Sequence, residues 1–258
     1  MAHEFDGKKY EKASSHQQEW GRMLLAGLGL RGDEKVLDLG CGDGSLTLHI
    51  AELLPEGEVT GIDASQGMIE AARPKAGENL RFLLLDIDDI DFVDTFDVVF
   101  SNAALHWVKD HEKLLRNVLR ALQPGGRVRF NFAGHGNCMA FFRVIREVMA
   151  MERYRPAFSS FEWPWYMPSV DEYAALAGSS GLQNPEVWGE NADRHFPDRE
   201  TMIRWIDQPS LVPLLPYVAE NERRAFRDAV VRRMIEETLQ PDGRCFETFR
   251  RINLSATK

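Results

Sequence analysis

The chain has 258 residues, of which 44% are hydrophobic and 28% charged, an ordinary globular composition long enough to bury a full core. Its 31 Lys and Arg stand against 40 Asp and Glu, and the resulting net charge of -9 disfavours a polyphosphate or nucleic-acid partner. The longest apolar runs, such as 82–85 and 98–100, are far too short to span a bilayer, so no membrane partner is expected.

The polar stretch 1–12 carries no signal-like apolar core, and a cytoplasmic location is expected. From residue 35 onward, short apolar runs alternate with amphipathic stretches, the pattern of βα units around a parallel sheet. Strands are predicted over 35–39, 58–63, 80–85, 96–101 and 126–132, and their near-continuous hydrophobicity suits strands covered on both faces. Helices are predicted over 45–54, 66–72 and 112–122, with Pro124-Gly125-Gly126 turning the last of these into the next strand. Beyond Phe132 the spacing predicts a helix over 138–151 with Phe142, Ile145 and Met149 on one stripe, then an aromatic, proline-bearing segment over 158–168. A short helix over 171–177, a strand over 186–196, helices over 200–207 and 217–239 and a closing strand over 243–256 complete the chain. The arginines dense across 223–233 interleave with Glu220, Glu222 and Asp228 at helical spacing, as a solvated helix face does. One α/β domain spanning 1–258 is expected, with 1–30 as an N-terminal cover and 138–170 as a helical and loop lid insertion.

The chemistry-bearing signal is Val36-Leu37-Asp38-Leu39-Gly40-Cys41-Gly42-Asp43-Gly44, a strand running into a glycine turn and then a helix. Glycines let the chain turn sharply and let a ligand approach backbone that has no Cβ in the way. The turn feeds a helix N-terminus, where free N–H groups favour an anionic group. Cys41 inside the turn reads as a small filler rather than a nucleophile, since no neighbouring His or Lys lowers its pKa. With Cys138 and Cys245 it makes three widely spaced cysteines, neither a disulfide framework nor a zinc site, and no metal is expected. Asp63 ends the second predicted strand, where a carboxylate accepts hydrogen bonds from ribose hydroxyls; capping the helix 66–72 is a compatible role. Asp86 ends the third strand, within reach of an adenine amino group or as simple loop acidity beside Asp88, Asp89 and Asp91.

Asp38–Gly44, Gly61-Ile62-Asp63, Asp86-Ile87, Ser101-Asn102-Ala103-Ala104-Leu105-His106-Trp107 and Leu122-Gln123-Pro124-Gly125-Gly126 together resemble the class I S-adenosylmethionine (SAM)-dependent methyltransferases in order and spacing. The resemblance implies a Rossmann-like, seven-stranded, mostly parallel sheet with helices on both faces and an antiparallel last strand. A longer resemblance, to the trans-aconitate methyltransferase family, rests on Asn102-Ala103, His106-Trp107-Val108, Asp110-His111, Val187-Trp188, Trp205 and Asp242-Gly243-Arg244. Residues 158–168 differ locally from that pattern.

Carried over by motif, Gly40 and Gly42 approach the methionine part of SAM, and Asp38 fixes the turn and the cofactor's amino group. Asp63 holds the ribose, Ala64 and Met68 pack on adenine, Asp86 and Ile87 bind its edge, and Asn102 places a carbonyl near the sulfonium. The Tyr10, Gln17 and Trp20 stretch is expected either to cover the cofactor and substrate or to be an ordinary amphipathic helix. His106 is the candidate general base for a hydroxyl or amine acceptor; a carboxylate acceptor needs none. Trp163, Trp165 and Tyr166, with Arg153 just ahead of them, are the candidate substrate wall for an apolar or planar acid, with Trp107 a further candidate; a lid packed on the core with surface arginines is the plainer reading. The implied reaction is methylation of a small molecule, with carboxyl O-methylation of a small organic acid as its specific form and S-adenosyl-L-homocysteine as coproduct. The expected partner is a small-molecule acceptor, with the chain a monomer or a homodimer. An NAD-dependent oxidoreductase and a SAM-binding protein without activity stand as alternatives. The first is disfavoured because Ser45 stands where Gly-x-Gly-x-x-Gly requires its third glycine.

Overall fold

Apolar runs bounded by glycine turns pair in the computed structural model, which describes residues 15–258. In chain order the main elements are α1 (Ser15–Ala26), β1 (Lys35–Leu39), α2 (Ser45–Glu52), β2 (Glu58–Asp63), α3 (Gln66–Ala72), β3 (Leu80–Leu84), β4 (Phe96–Asn102), α4 (His111–Ala121) and β5 (Leu122–Ala133). There follow α5 (Met139–Met149), α6 (Val170–Ser179), β6 (Gln183–Asn191), β7 (Arg194–Phe196), α7 (Arg199–Trp205), α8 (Glu220–Thr238), β8 (Cys245–Glu247) and β9 (Arg250–Thr257). The chain divides into two compact units, the first from residues up to His135, Trp165–Glu190 and Arg251–Lys258, the second from Gly136–Pro164 and Asn191–Arg250. The second unit therefore draws in 191–250 as well as most of the expected 138–170 insertion, whose end, from Trp165, belongs to the first.

Among the described residues the first unit holds a seven-stranded sheet in the order β3-β2-β1-β4-β5-β9-β6. Strands β1 to β5 pair in parallel and β9 runs antiparallel to β5. The chain order reverses between β1 and β4, the switch point where open α/β sheets bind ligands beyond their carboxyl ends. Helices cover both faces. On one, Leu37, Leu39, Val99, Phe130, Phe132, Ile252 and Leu254 pack with Leu114, Leu115 and Val118 of α4 and Tyr173 and Ala177 of α6. On the other, Val36, Val59, Val98 and Phe100 pack with Leu24 and Leu25 of α1 and Ile50 and Ala51 of α2. Successive residues of β1 thus bury on opposite sides, which is why these strands read as unbroken hydrophobic runs.

The structure departs from the sequence expectations in three places. The expected strands 186–196 and 243–256 each split: Gln183–Asn191 and Arg250–Thr257 belong to the main sheet, whereas Arg194–Phe196 and Cys245–Glu247 form an antiparallel ribbon. Asp193 bends the chain here, its Oδ1 accepting the Phe249 N–H at 3.0 Å. Strand β5 begins at Leu122 rather than 126, because Pro124-Gly125-Gly126 sits inside the pairing as an irregularity between Leu122 and Arg127. In α5 the buried stripe is Phe141, Val144, Ile145 and Val148, so Phe142 and Met149 lie off it.

Within the second unit, α5 and α8 are laced by ion pairs, Arg143 with Glu237 and Arg233 with Glu147, the latter at 2.5 Å. Arg227 pairs with Asp207 at 2.7 Å, so part of the arginine-rich helix face is matched by carboxylates. Glu247 accepts the N–H groups of Ala140 and Phe141 at 3.2 and 2.9 Å, satisfying the start of α5. Among the described residues no helix is long and apolar enough to cross a membrane.

One buried polar group in the first unit ties the β4–α4 loop to the core. His111 Nε2 donates to the Leu105 carbonyl at 3.0 Å, which fixes the tautomer and leaves Nδ1 to accept from the Tyr173 hydroxyl at 3.1 Å. Burial holds His111 down at about 4. A histidine whose folded value lies below its unfolded one stabilises the fold above pH 6.5, and that stability is lost as pH falls toward 4. Its share is on the order of 3 kcal/mol. Tyr173→Phe is expected to cost about 1–2 kcal/mol in urea unfolding at pH 7, and His111→Gln to flatten the acid slope between pH 6.5 and 4; an unchanged slope refutes the assignment.

Candidate active site

At the carboxyl end of β1 the chain makes the glycine turn and hooks it onto the neighbouring strand. The N–H groups of Gly40 and Cys41 both donate to the Ile62 carbonyl at 2.9 Å. Gly40, Gly42 and Gly44 take φ of 72°, 56° and 77°, the left-handed region that side chains disfavour. The glycines differ in their surroundings. A Cβ on Gly40 would lie 2.2 Å from the Cβ of Ala104, whereas one on Gly42 would meet nothing within 4 Å. Gly40 is thus a packing position against the loop after β4, and Gly42 leaves backbone open for a ligand. Cys41 fits beside Gly61, and burial pushes its thiol well above the usual range, with Asp38 and Asp63 adding to the rise. It is a filler of the turn and no nucleophile at neutral pH.

Asp63 braces this turn. Its Oδ2 accepts the Gly42 N–H and its Oδ1 the Ser65 N–H, both at 2.9 Å. The cap of α3 is Ser65, which accepts from the Met68 N–H at 3.4 Å, so the capping role considered for Asp63 belongs two residues later. Asp63 stays half-buried at the rim, beside half-buried Ala64 and buried Met68. Asp86 accepts the Asp88 N–H at 3.0 Å and so shapes the turn after β3. The side chain of Ile87 is buried in the main core and reaches to within 3.9 Å of where a Gly40 Cβ would stand.

Asp38 is fully enclosed, and Thr47 donates to its Oδ2 at 2.8 Å. No cationic side chain pairs with it among the described residues. Burial, with the Asp63 carboxylate adding to it, raises Asp38 to about 7. A buried carboxylate without a counter-charge beside an open glycine backbone fits a ligand that brings an ammonium group, as the methionine part of SAM does. When bound, SAM supplies an electrophilic methyl group; the protein's share is positioning and exclusion of water.

The loop after β4 forms the next wall. Ala103 takes φ of 59° and donates its N–H to the Asn131 carbonyl at 2.7 Å, holding Asn102 at the carboxyl end of the central strands. The Nδ1 of His106 is shut off from solvent with no hydrogen-bond partner among the described residues. Burial, then the positive charge of Arg251 and then His111, lower His106 to about 3. The expected general base is therefore held neutral and is a feeble proton acceptor. Trp107 lies 5.4 Å from Trp165 between ring centroids, and the Tyr166 N–H donates to the His106 carbonyl at 2.8 Å. Trp165 and Tyr166 thus pack on the His106–Trp107 loop within the first unit.

The other candidates lie elsewhere. Trp163 belongs to the second unit, between Phe142 and Phe161 and under Arg146 at 5.0 Å. Arg153 is exposed and ion-paired with Glu222, which speaks against its expected place as receiver of a substrate carboxylate. Trp20 lies in α1 with the Arg251 guanidinium over its ring at 5.0 Å. Tyr10 lies outside the described residues, and Gln17 enters only as part of α1. Two buried polar residues at this end of the sheet were not singled out from the sequence. They are Asn131, at the end of β5, and Arg251, at the start of β9. The available signal was period-two alternation in the closing strand, where Arg251, Asn253 and Ser255 interleave with Ile252, Leu254 and Ala256.

Residues 36–126 match the family model described as "Methyltransferase domain". The trans-aconitate 2-methyltransferase of Rhodococcus jostii is 28% identical over 252 residues, covering 96% of this chain and 97% of that one. An uncharacterized methyltransferase of Schizosaccharomyces pombe is 28% identical over 263 residues, covering 98% of each. Among solved structures, phosphoethanolamine N-methyltransferase 2 of Haemonchus contortus, in complex with S-adenosyl-L-methionine, aligns with a TM-score of 0.62 at 20% identity. That alignment covers 98% of this chain, which spans 56% of the nematode protein. Residues 36–126 are thus a methyltransferase domain, carried on a mostly parallel seven-stranded sheet of the fold that these solved methyltransferases share.

Proposed function

We propose that the protein transfers the methyl group of SAM to a carboxylate oxygen of a small organic acid. The observation that carries this reading is the weakness of His106 as a base. It is buried beside the charge of Arg251 and held near 3, so it does not readily take a proton from a hydroxyl or an ammonium group. A carboxylate is ionised at neutral pH and attacks without a base. Its oxygen forms the new bond to the methyl carbon as the sulfur–methyl bond breaks, the electron pair passing to sulfur and no proton moving. The full-length similarity to proteins named trans-aconitate 2-methyltransferase supports the same substrate class. On this reading Gly40, Gly42, Asp38, Asp63, Ala64, Met68, Asp86 and Ile87 form the cofactor side of the site. Asn102, His106, Trp107, Trp165 and Tyr166 form the acceptor side.

The test is a screen of the purified protein with SAM against carboxylic acids, alcohols, amines and thiols, read as S-adenosylhomocysteine release and product mass. Base-labile methyl esters are the expected products, with a rate nearly flat from pH 6.5 to 8. Transfer confined to nitrogen or sulfur overturns the reading.

A further inference from the structure

We propose that His111, set by Tyr173, is a positioning residue for the methyl acceptor: it hangs the 105–107 turn, and with it His106 and Trp107, from the core. The inference rests on the reading above that this turn forms the acceptor side. It gives a part in the reaction to a residue that does not itself touch substrate.

The turn has little to hold it from within. Leu105, His106 and Trp107 make one tight turn, closed by the Trp107 N–H on the Ala104 carbonyl at 3.0 Å and the Val108 N–H on the Leu105 carbonyl at 2.9 Å. So short a turn has slight stability of its own, and its place is decided by what grips it from outside. Asp110 caps α4 by accepting the Lys113 N–H at 2.8 Å, and His111, the first residue of that helix, reaches back with Nε2 to the Leu105 carbonyl at 3.0 Å. That carbonyl thus accepts twice, once within the turn and once from the core.

Tyr173 of α6, fully buried, meets the opposite edge of the ring, its hydroxyl 3.1 Å from Nδ1. Burial pushes the Tyr173 phenol up, so it stays protonated and donates, and the imidazole proton is left on Nε2 to face Leu105. Burial also keeps the His111 ring uncharged near neutrality, although the Leu105 and Val108 carbonyls pull the other way. The same ring packs 4.6 Å from the ring of Tyr166, whose N–H donates to the His106 carbonyl at 2.8 Å. Phe132 of β5 lies against it at 5.4 Å. One buried imidazole therefore fixes His106 twice, through the carbonyl of the preceding residue and through the tyrosine that binds its own. Misplacing a positioned group by about 1 Å costs up to about a hundredfold in rate.

The experiment compares two variants that lose the same imidazole and differ in what they keep. Glutamine carries an amide N–H about as far along the side chain as Nε2, asparagine only as far as Nδ1. His111→Gln retains a donor for Leu105, and His111→Asn does not. With SAM and either succinate or trans-aconitate, kcat/KM for the acid is expected to fall about thirtyfold in His111→Asn and no more than about threefold in His111→Gln. SAM affinity by calorimetry should stay within about twofold of wild type in both. In the S-adenosylhomocysteine complex the Trp107 and Val108 amides should exchange about tenfold faster in His111→Asn alone, with the amides of β1 and β4 unchanged. Equal losses in the two variants, or losses that track the thermal midpoint, make His111 an ordinary core residue and overturn the proposal. So does wild-type NMR of the ring nitrogens that finds the proton on Nδ1. If His111→Asn does not fold, Tyr173→Phe replaces it, with an expected fall in kcat/KM of about fivefold, and no fall again overturns the proposal. Wild type that methylates neither acid sinks the carboxylate reading instead; the exchange and ring measurements need no acceptor, and the two variants are then compared on the acceptor that the screen identifies.

Discussion

Asp38→Asn is expected to weaken SAM binding by about a hundredfold at pH 8, while raising the thermal stability of the cofactor-free protein. Both effects come from one buried carboxylate. Burial, with Asp63 adding to it, lifts Asp38 from 3.8 to about 7. A group whose folded value lies above its unfolded one stabilises the fold fully below pH 3.8, and that stability is lost as pH rises to 7. The ionised group therefore costs the empty protein on the order of 4 kcal/mol at pH 8. Asparagine keeps an oxygen for Thr47 and removes this cost. The ammonium of the bound cofactor favours the ionised form, so binding below pH 7 releases a proton and affinity climbs with pH until it levels off above 7. Titration calorimetry in two buffers of different ionisation enthalpy counts that proton. Proton uptake, or an affinity indifferent to pH between 6 and 8, removes Asp38 from the ammonium site. An apo variant less stable than wild type at pH 8 contradicts the energetic argument.

How far this site could be read from sequence varies residue by residue, for physical reasons. The bounds of β1 and β2 were legible because hydrophobic runs covered on both faces end abruptly at Gly40 and at Asp63. The positions of Asp38, Gly42 and Asp63 follow from those bounds alone. The exchange of chain between two sheets was not legible, since residues 186–196 and 243–256 remain extended across the bend and alternate little differently on either side. Arg153 stands out because aromatic residues follow it, yet its ion-pair partner, Glu222, stands 69 positions later and no local pattern announces it. Arg251 escaped for the opposite reason. Its neighbour Arg250 pairs with Asp193 in the second unit, and two adjacent arginines at a strand start look alike until the strand's pleat buries one of them. His106 was visible as a residue type, but its weakness as a base depends on burial and on a charge from β9, which only the fold brings near.

The glycine turn offers the sharpest separation of fold from function, because Gly40→Ala and Gly42→Ala are expected to fail in different ways. Both positions have positive φ, so each alanine carries about 1–2 kcal/mol of backbone strain. Gly40→Ala adds a collision, since its Cβ would stand 2.2 Å from the Cβ of Ala104, an atom with no rotamer to escape through. Relieving it displaces the loop that carries Asn102 and His106, at a further cost of about 1–3 kcal/mol. The expected result is a midpoint of thermal unfolding lowered well beyond that of Gly42→Ala, together with a fall in kcat. Gly42→Ala meets no protein atom, and its Cβ fills only the open backbone that the cofactor is to approach. Its stability loss should stay near 1 kcal/mol, with SAM affinity reduced at least tenfold and kcat at saturating cofactor nearly preserved. If instead both variants lose stability equally and bind SAM as wild type does, the open face of Gly42 is not where the cofactor lies. If Gly40→Ala folds as well as Gly42→Ala, the loop after β4 is free to move away from the turn, and the fixed placement of Asn102 and His106 on which the acceptor side depends is lost with it.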